Sequence, residues 1–257
     1  MTQRNPQQRR SFIIEQINQL GELSVEQLAS QLNTSEVTIR KDLTLLENDG
    51  KLLRRYGGAI RLPNDTNELL ISQYKRAIAV RASQLIKDNS RIIIDSGNTT
   101  LALAPLLIHK KNLVVMTNSI KVAHQLSSIE AGPNLIMTGG TWDPCSDSLQ
   151  GKIAEHAVNA YDFDQLFIGA DGLDIEKGTT SFNELLSLSQ VMATNAHQVI
   201  VMLESDKIGR KIPNIELPWD KIDILITDNR LNQTIQQQIT QHGVTLLCAT
   251  LQDSEEI

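Results

Sequence analysis

The run Ser35-Glu36-Val37-Thr38-Ile39-Arg40-Lys41-Asp42-Leu43 is followed by Arg54-Arg55-Tyr56-Gly57-Gly58-Ala59, and this pair constrains the chain more than any other stretch. The first is a helix with one polar, basic face; the second is a short basic hairpin. A cationic helix beside a cationic hairpin suits the grooves and phosphates of duplex DNA. Charge distribution agrees. Residues 1–61 hold nine Lys and Arg against seven Asp and Glu, a net +2, while the remainder carries −8 of a total of −6. An acidic chain excludes a general nucleic-acid coat, but this asymmetry fits a DNA-binding head on an acidic body. A helical protein-interaction module with a solvated charged face is the alternative.

The head reads as three helices and a hairpin. Phe12, Ile13, Ile14, Ile17 and Leu20 recur at helical spacing, and Gly21 ends the run. Ser24 with Gln27 forms a capping box for a second helix, whose apolar face is Val25, Leu28, Ala29 and Leu32. After the Asn33-Thr34 turn, Ser35 caps a third helix. Val37, Ile39, Leu43 and Leu46 fit its buried side, leaving Glu36, Thr38, Arg40, Lys41 and Thr44 outside until Gly50 stops it. Lys51–Arg55 and Ala59–Leu62 read as strands around Tyr56-Gly57-Gly58, which makes a wing. Ser35 and Thr38 suit phosphate or base-edge contacts, and Arg40 can engage a guanine edge. Lys41, Arg54 and Arg55 read as phosphate contacts. A head this small implies at least a homodimer on repeated half-sites.

With 257 residues, of which 40% are hydrophobic, the chain has room for a small and a large domain. The expected division is a winged helix-turn-helix over 1–62, a linker over 63–74 and an α/β domain over 75–257. Cys145 and Cys248 stand far apart, so no disulfide framework is expected. Met1–Arg10 lacks the apolar segment of a secretory signal, and apolar runs such as Leu113–Met116 are too short to span a bilayer. A soluble cytoplasmic protein is expected. His109, His124, His156, His197 and His242 show no ligand spacing, so neither metal nor cofactor is expected.

From Tyr74 onward, helical segments alternate with short apolar strands, implying a mostly parallel sheet covered by helices. Arg91–Asp95 leads into Ser96-Gly97-Asn98-Thr99-Thr100 and a helix through Leu107. Leu113–Met116 leads to Thr117-Asn118-Ser119, and Asn134–Thr138 to Gly139-Gly140. Leu166–Ile168 ends at Gly169-Ala170-Asp171-Gly172, and Val199–Leu203 at Glu204-Ser205-Asp206-Lys207. Ile222–Thr227 reads as the last core strand. Ligands of open α/β sheets bind at the carboxyl ends of the strands, where these five loops lie. Ser96–Thr100 is a candidate anion cradle and Lys207 a cation for a phosphate; Asp95, Asp171, Asn183 and Glu184 are acceptors for sugar hydroxyls.

Thr38-Ile39-Arg40-Lys41-Asp42-Leu43 with Arg54-Arg55-Tyr56-Gly57-Gly58-Ala59 resembles the N-terminal signature of the DeoR family of bacterial sugar-operon repressors. That family usually carries Arg at the place of Lys41 and His at the place of Tyr56. The resemblance continues through Asp95–Thr100, Thr117–Ser119, Thr138-Gly139-Gly140, Gly169–Gly172 and Ser205–Lys211, and so covers nearly the whole chain. Within the family, Thr180-Ser181-Phe182-Asn183-Glu184 and Lys207–Asn214 most resemble the glucitol (sorbitol) operon repressors. The resemblance implies a sensor domain similar to ribose-5-phosphate isomerase folds. It also implies that this domain binds a phosphorylated sugar or sugar alcohol, with glucitol 6-phosphate the first candidate, and thereby weakens operator binding. An isomerase using Asp171, Asp174, Glu184 and Lys207 is the rival, from which Gly172 and Thr179-Thr180-Ser181 depart. Activation rather than repression is a third reading.

Overall fold

Ile13 and Ile17 of one helix, Leu28 of a second, and Ile39, Leu43 and Leu46 of a third are buried in a single cluster, which joins the three helices. They belong to the first of two compact units, Met1–Glu68 and Leu69–Ile257, in a computed structural model of the chain. The structure describes residues 6–48, 52–55, 57–61, 72–144, 146–183, 186–210 and 212–251. In the first unit, α1 (Pro6–Leu20) leads to β1 (Glu22–Ser24), α2 (Val25–Gln31) and α3 (Glu36–Asn48), then to β2 (Leu52–Arg55) and β3 (Gly58–Arg61). The capping box forms as expected: Gln27 N–H donates to Ser24 Oγ at 3.0 Å, and Ser24 N–H to Gln27 Oε1 at 2.9 Å.

The three strands form an antiparallel sheet in the order β1-β3-β2, in which Ser24 pairs with Gly58. A Cβ at Gly58 would lie 2.5 Å from the Leu23 carbonyl, so only glycine lets the wing strand approach β1. Gly50, Lys51, Tyr56 and Leu62 lie outside the described residues, as do residues 63–71 of the expected 63–74 linker.

The second unit contains α4 (Gln73–Ser83), β4 (Arg91–Ile94), α5 (Asn98–Leu101), β5 (Val114–Thr117), α6 (Ile120–Ser127), β6 (Asn134–Met137), β7 (Thr141–Asp143), β8 (Ser148–Gln150) and α7 (Lys152–Asn159). It continues with β9 (Phe163–Ile168), β10 (Gly172–Asp174), β11 (Gly178–Ser181), α8 (Ser187–Thr194), β12 (Ala196–Met202), β13 (Asn214–Pro218), β14 (Ile224–Asp228), α9 (Gln233–Thr240) and β15 (Thr245–Ala249). Seven strands make a parallel sheet in the order β15-β14-β12-β9-β4-β5-β6.

Alternation along the strands makes three layers. Ile92 and Ile94 enter one core with Ile78 of α4 and Val122 of α6, whereas Ile93 enters the other with Val158 of α7 and Met192 of α8. Leu225 and its neighbours Ile224 and Ile226 divide in the same way. Small antiparallel sheets, β10-β11-β13 and β7-β8, complete the unit.

The structure departs from two expectations. Ile222–Thr227 is not the last core strand: Thr245–Ala249 pairs with β14 from Ile224↔Thr245 to Asp228↔Ala249. The helix after Ser96 does not run through Leu107. It makes a single turn, Asn98–Leu101, and gives way to a 3-10 segment, Ala104–His109, with Pro105 in its first turn. Proline has no N–H to donate and cannot continue an α-helical ladder.

Candidate DNA interface and effector crevice

At α3 the buried set is Ile39, Asp42, Leu43 and Leu46, and this phase turns Val37, Arg40, Lys41 and Leu45 outward. Val37 was expected on the buried side. It is 60% exposed, because two residues before Ile39 is about 200° around a helix. Ser35 caps α3, its Oγ accepting from Thr38 N–H at 3.3 Å and lying 2.9 Å from Thr38 Oγ1. The exposed Arg40 guanidinium meets Glu36 Oε2 at 2.6 Å. Asp42 is buried and ion-paired with Arg9 and, at 3.5 Å, with Arg10, so these two cations of α1 hold α3 in place. Arg54 and Arg55 fall on β2, opposite Ala59 and Gly58. Their side chains lie outside the described residues.

The order of the parallel sheet reverses between β4 and β9: from β4 the chain moves outward to β5 and β6, then returns past β4 to β9, β12 and β14. Loops leaving the carboxyl ends of these two strands diverge and open a crevice. Asp95 follows β4, its N–H donating to the Phe167 carbonyl of β9 at 2.9 Å. Desolvation pushes its carboxyl up to about 6, against hydrogen bonds from Ser96 and from Asn118 Nδ2, the latter at 2.8 Å. Asp171 follows β9, and its Oδ2 accepts from Ser181 Oγ at 3.1 Å and Phe182 N–H at 3.0 Å. Lys207 reaches the same strand end, donating from Nζ to the Ala170 carbonyl at 2.9 Å.

Other candidates are spent on local structure. Thr100 Oγ1 donates to the Gly97 carbonyl, Thr117 Oγ1 accepts from Ser119 N–H, and Ser119 Oγ caps α6 through Val122 N–H. Thr99, Thr100, Thr117, Asn118 and Ser119 are buried, while Ser96 is partly exposed and Gly97 and Asn98 are exposed. Gly140, at φ +118, packs so closely that a Cβ would lie 2.5 Å from the Gln150 carbonyl; Gly139 precedes it at φ +64. Gly172, expected in the loop, is a buried residue of β10 packed beneath Thr180 and Ile212. Asn183 N–H donates to Ser181 Oγ, and its carbonyl accepts from Asn214 Nδ2. Asp174 Oδ1 accepts from Glu176 N–H and lines a cavity of about 340 Å³ with Lys177, Ile212 and Ile215, on the small β10-β11-β13 sheet. Glu184, Cys145 and Lys211 lie outside the described residues.

The DeoR-like helix-turn-helix domain matches residues 9–64, and the DeoR C terminal sensor domain matches residues 71–229. The chain belongs to the DeoR family of DNA-binding transcriptional regulators. This regulator is 34% identical to a provisionally named aga operon transcriptional repressor of Escherichia coli O157:H7, over 93% of each chain. It is 31% identical to the HTH-type transcriptional regulator GlpR of Haloferax volcanii, covering 94% of this chain and 97% of that one. The same identity relates it to the HTH-type transcriptional regulator GolR of Listeria innocua, covering 95% and 99%. A solved ribose 5-phosphate isomerase of Methanocaldococcus jannaschii aligns to 52% of this chain and 53% of its own, at 17% identity and a TM-score of 0.39. Relatives along the full length are named as regulators, so the isomerase reading is set aside: the regulator is not an enzyme.

Among the described residues of the DeoR regulator, no group of three or more His, Cys, Asp or Glu side chains is placed to hold a metal. No described helix is long and apolar enough to cross a membrane. Two features were missed in the sequence. One is the exposed Val37. The other is Glu216 of β13, 8% exposed, whose carboxyl burial pushes up to about 8, with the charges of Asp95 and Asp171 acting in the same direction. Its only sequence signal is an acid between Ile215 and Leu217.

Proposed function

We propose that this regulator represses an operon for a sugar or sugar alcohol and leaves its operator when a phosphorylated sugar or polyol binds the β4–β9 crevice. Glucitol 6-phosphate is the first candidate. The observation that carries the reading is the placement of opposite chemistries around one strand end: Lys207 on the Ala170 carbonyl and Asp171 on the next residue, with Asp95 and the Ser96–Thr100 loop leaving the neighbouring strand. A cation and the amides at a helix start suit a phosphate, and carboxylates suit hydroxyls, so a ligand carrying both groups matches the set.

On the DNA side, Ser35, Thr38, Arg40 and Lys41 are assigned to the operator face, with Arg54 and Arg55 on the wing. Val37 stands among them with an apolar surface suited to a thymine methyl group. The partner is double-stranded operator DNA, read by at least a homodimer.

A route for the signal is supported by bonds at the start of α4. Ser72 Oγ donates to Glu204 Oε1 at 2.6 Å, and Lys75 Nζ meets Glu204 Oε2 at 3.4 Å. Glu204 opens the 204–207 loop that carries Lys207, and among the described residues α4 is the first helix after the head in the chain. A ligand that draws on Lys207 therefore acts on the segment leading back to the head. It shifts DNA affinity only through a different affinity for the two states.

The test is operator binding by the full chain, titrated with glucitol 6-phosphate, free glucitol and inorganic phosphate. Release by the phosphorylated polyol alone supports the reading; equal response to free glucitol, or none to any phosphorylated sugar, refutes it.

A further inference from the structure

Glu216 belongs to none of the strand-end loops, yet it comes to the same crevice. It lies on β13, and its Oε1 accepts from Ser189 Oγ of α8 at 2.8 Å. The carboxyls of Asp95 and Asp171 are near enough for their charges to act on it. Ser181, which bonds Asp171 at the end of β9, pairs with Asn214 of β13, and Glu216, two residues along that strand, shares its face, so acids from β13 and from the ends of β4 and β9 lie together near the reversal of strand order.

A second observation concerns Asn118, which is fully buried. Its Nδ2 donates to Asp95 Oδ1 at 2.8 Å, and its Oδ1 has no hydrogen-bond partner among the described residues. Buried amide oxygens are nearly always paired, so a bare one beside converging acids calls for a donor beyond the described residues, and a bound ligand can supply it. A fully ionised phosphate cannot be that donor. A hydroxyl can: it donates one hydrogen bond and accepts others.

We infer that Glu216 reads a hydroxyl of the polyhydroxylated ligand in the β4–β9 crevice and so sets which sugar or sugar alcohol the site accepts. This rests on the effector reading above. Close to two other acids, Glu216 avoids repulsion by keeping its proton, and burial already holds its carboxyl at about 8. As a neutral acid it accepts from Ser189 and donates its own O–H to a ligand oxygen. A ligand hydroxyl in turn donates to Asp95, Asp171 or the bare Asn118 Oδ1. The phosphate of the same ligand is repelled by the acids and lies toward Lys207. A site built on hydrogen bonds to hydroxyls discriminates sharply among analogues that misplace one, because its own polar groups are then left unpaired.

The experiment titrates the full-length protein calorimetrically with the 6-phosphates of glucitol, mannitol and galactitol, and with inorganic phosphate as reference. Wild type is compared with Glu216→Ala and Glu216→Gln, with thermal melts of each to establish folding. The expected result is a wild-type ranking of the three hexitol phosphates. Glu216→Ala compresses that ranking by about tenfold or more relative to inorganic phosphate, and Glu216→Gln, which retains a donor and an acceptor, preserves most of it. An unchanged ranking in Glu216→Ala overturns this inference and leaves the effector reading standing. So does a uniform weakening of all four probes, which marks a purely structural role. A wild type that binds none of the hexitol phosphates overturns both.

Discussion

The guanidinium of Arg230 lies 3.7 Å over the ring of Tyr74 while its Nε and Nη2 donate to the two oxygens of Asp228, at 2.8 and 3.0 Å. Asp228 ends β14 with no exposed surface and also accepts from the N–H and Oγ of Ser205. One arginine therefore joins the first turn of α4, the end of β14 and the 204–207 loop. Arg230→Ala leaves a buried carboxylate short of its charged donor. We expect a loss of about 1–3 kcal/mol in stability, with Arg230→Lys recovering only part because a lysine lacks the fork. Denaturant unfolding of the three proteins checks this, and equal midpoints refute it.

The same carboxylate has an acid-side signature. Desolvation works to raise Asp228, but hydrogen bonds from Arg230 and Ser205 outweigh it and hold the group at about 2. A carboxylate lowered on folding contributes stability above its ordinary value near 4, and that contribution is lost as pH falls toward 2. Asp228→Asn should remove this part of the acid dependence. A wild-type slope retained between pH 4 and 2 contradicts the assignment.

Glu216 has the opposite sign. Its folded value of about 8 lies above its ordinary 4.5, so its contribution is complete below pH 4.5 and is lost as pH rises through 8. Glu216→Gln should flatten the decline in melting temperature across that window. The limit for one such group is roughly 1.4 kcal/mol per pH unit. An identical pH profile for variant and wild type rules out the raised carboxyl.

On the DNA face, Arg40→Ala should cost about 1–3 kcal/mol of operator discrimination, read by gel shift against specific and scrambled duplexes. Substitutions of Lys41, Arg54 or Arg55 should instead weaken both duplexes alike and reduce the salt slope by about 0.9 per lost contact. A base-specific effect at any of these three positions reverses its role.

Lys207→Ala should weaken the response to a phosphorylated polyol while operator binding without effector persists, giving permanent repression in cells. Calorimetry with glucitol 6-phosphate and free glucitol provides the check. No difference between wild type and variant for the phosphorylated ligand excludes Lys207 as the phosphate partner.

Local patterns were legible in the chain. Helical spacing in 12–20, the Ser24/Gln27 box and the strand-then-polar-loop rhythm after residue 91 each depend on residues a few positions apart, and they yielded the helix-turn-helix and the parallel sheet. Val37 is apolar yet exposed, because the phase of α3 is set by Ile39, Leu43 and Leu46 together with the ion-paired Asp42. Thr100, Thr117 and Ser119 looked like ligand hydroxyls, but the structure spends them on caps and turns.

What the sequence determined alone was therefore the class of elements, their order and the DNA-reading head, since periodicity and turn chemistry act over one or two turns of chain. Tertiary structure decided which acids meet. Glu216 lies more than a hundred residues from Asp95, and the two come within reach because Asp171 at the end of β9 bonds Ser181 of β11, the strand paired with β13. Desolvation and the field of neighbouring carboxylates exist only once that packing is made, and no local pattern in the chain encodes them.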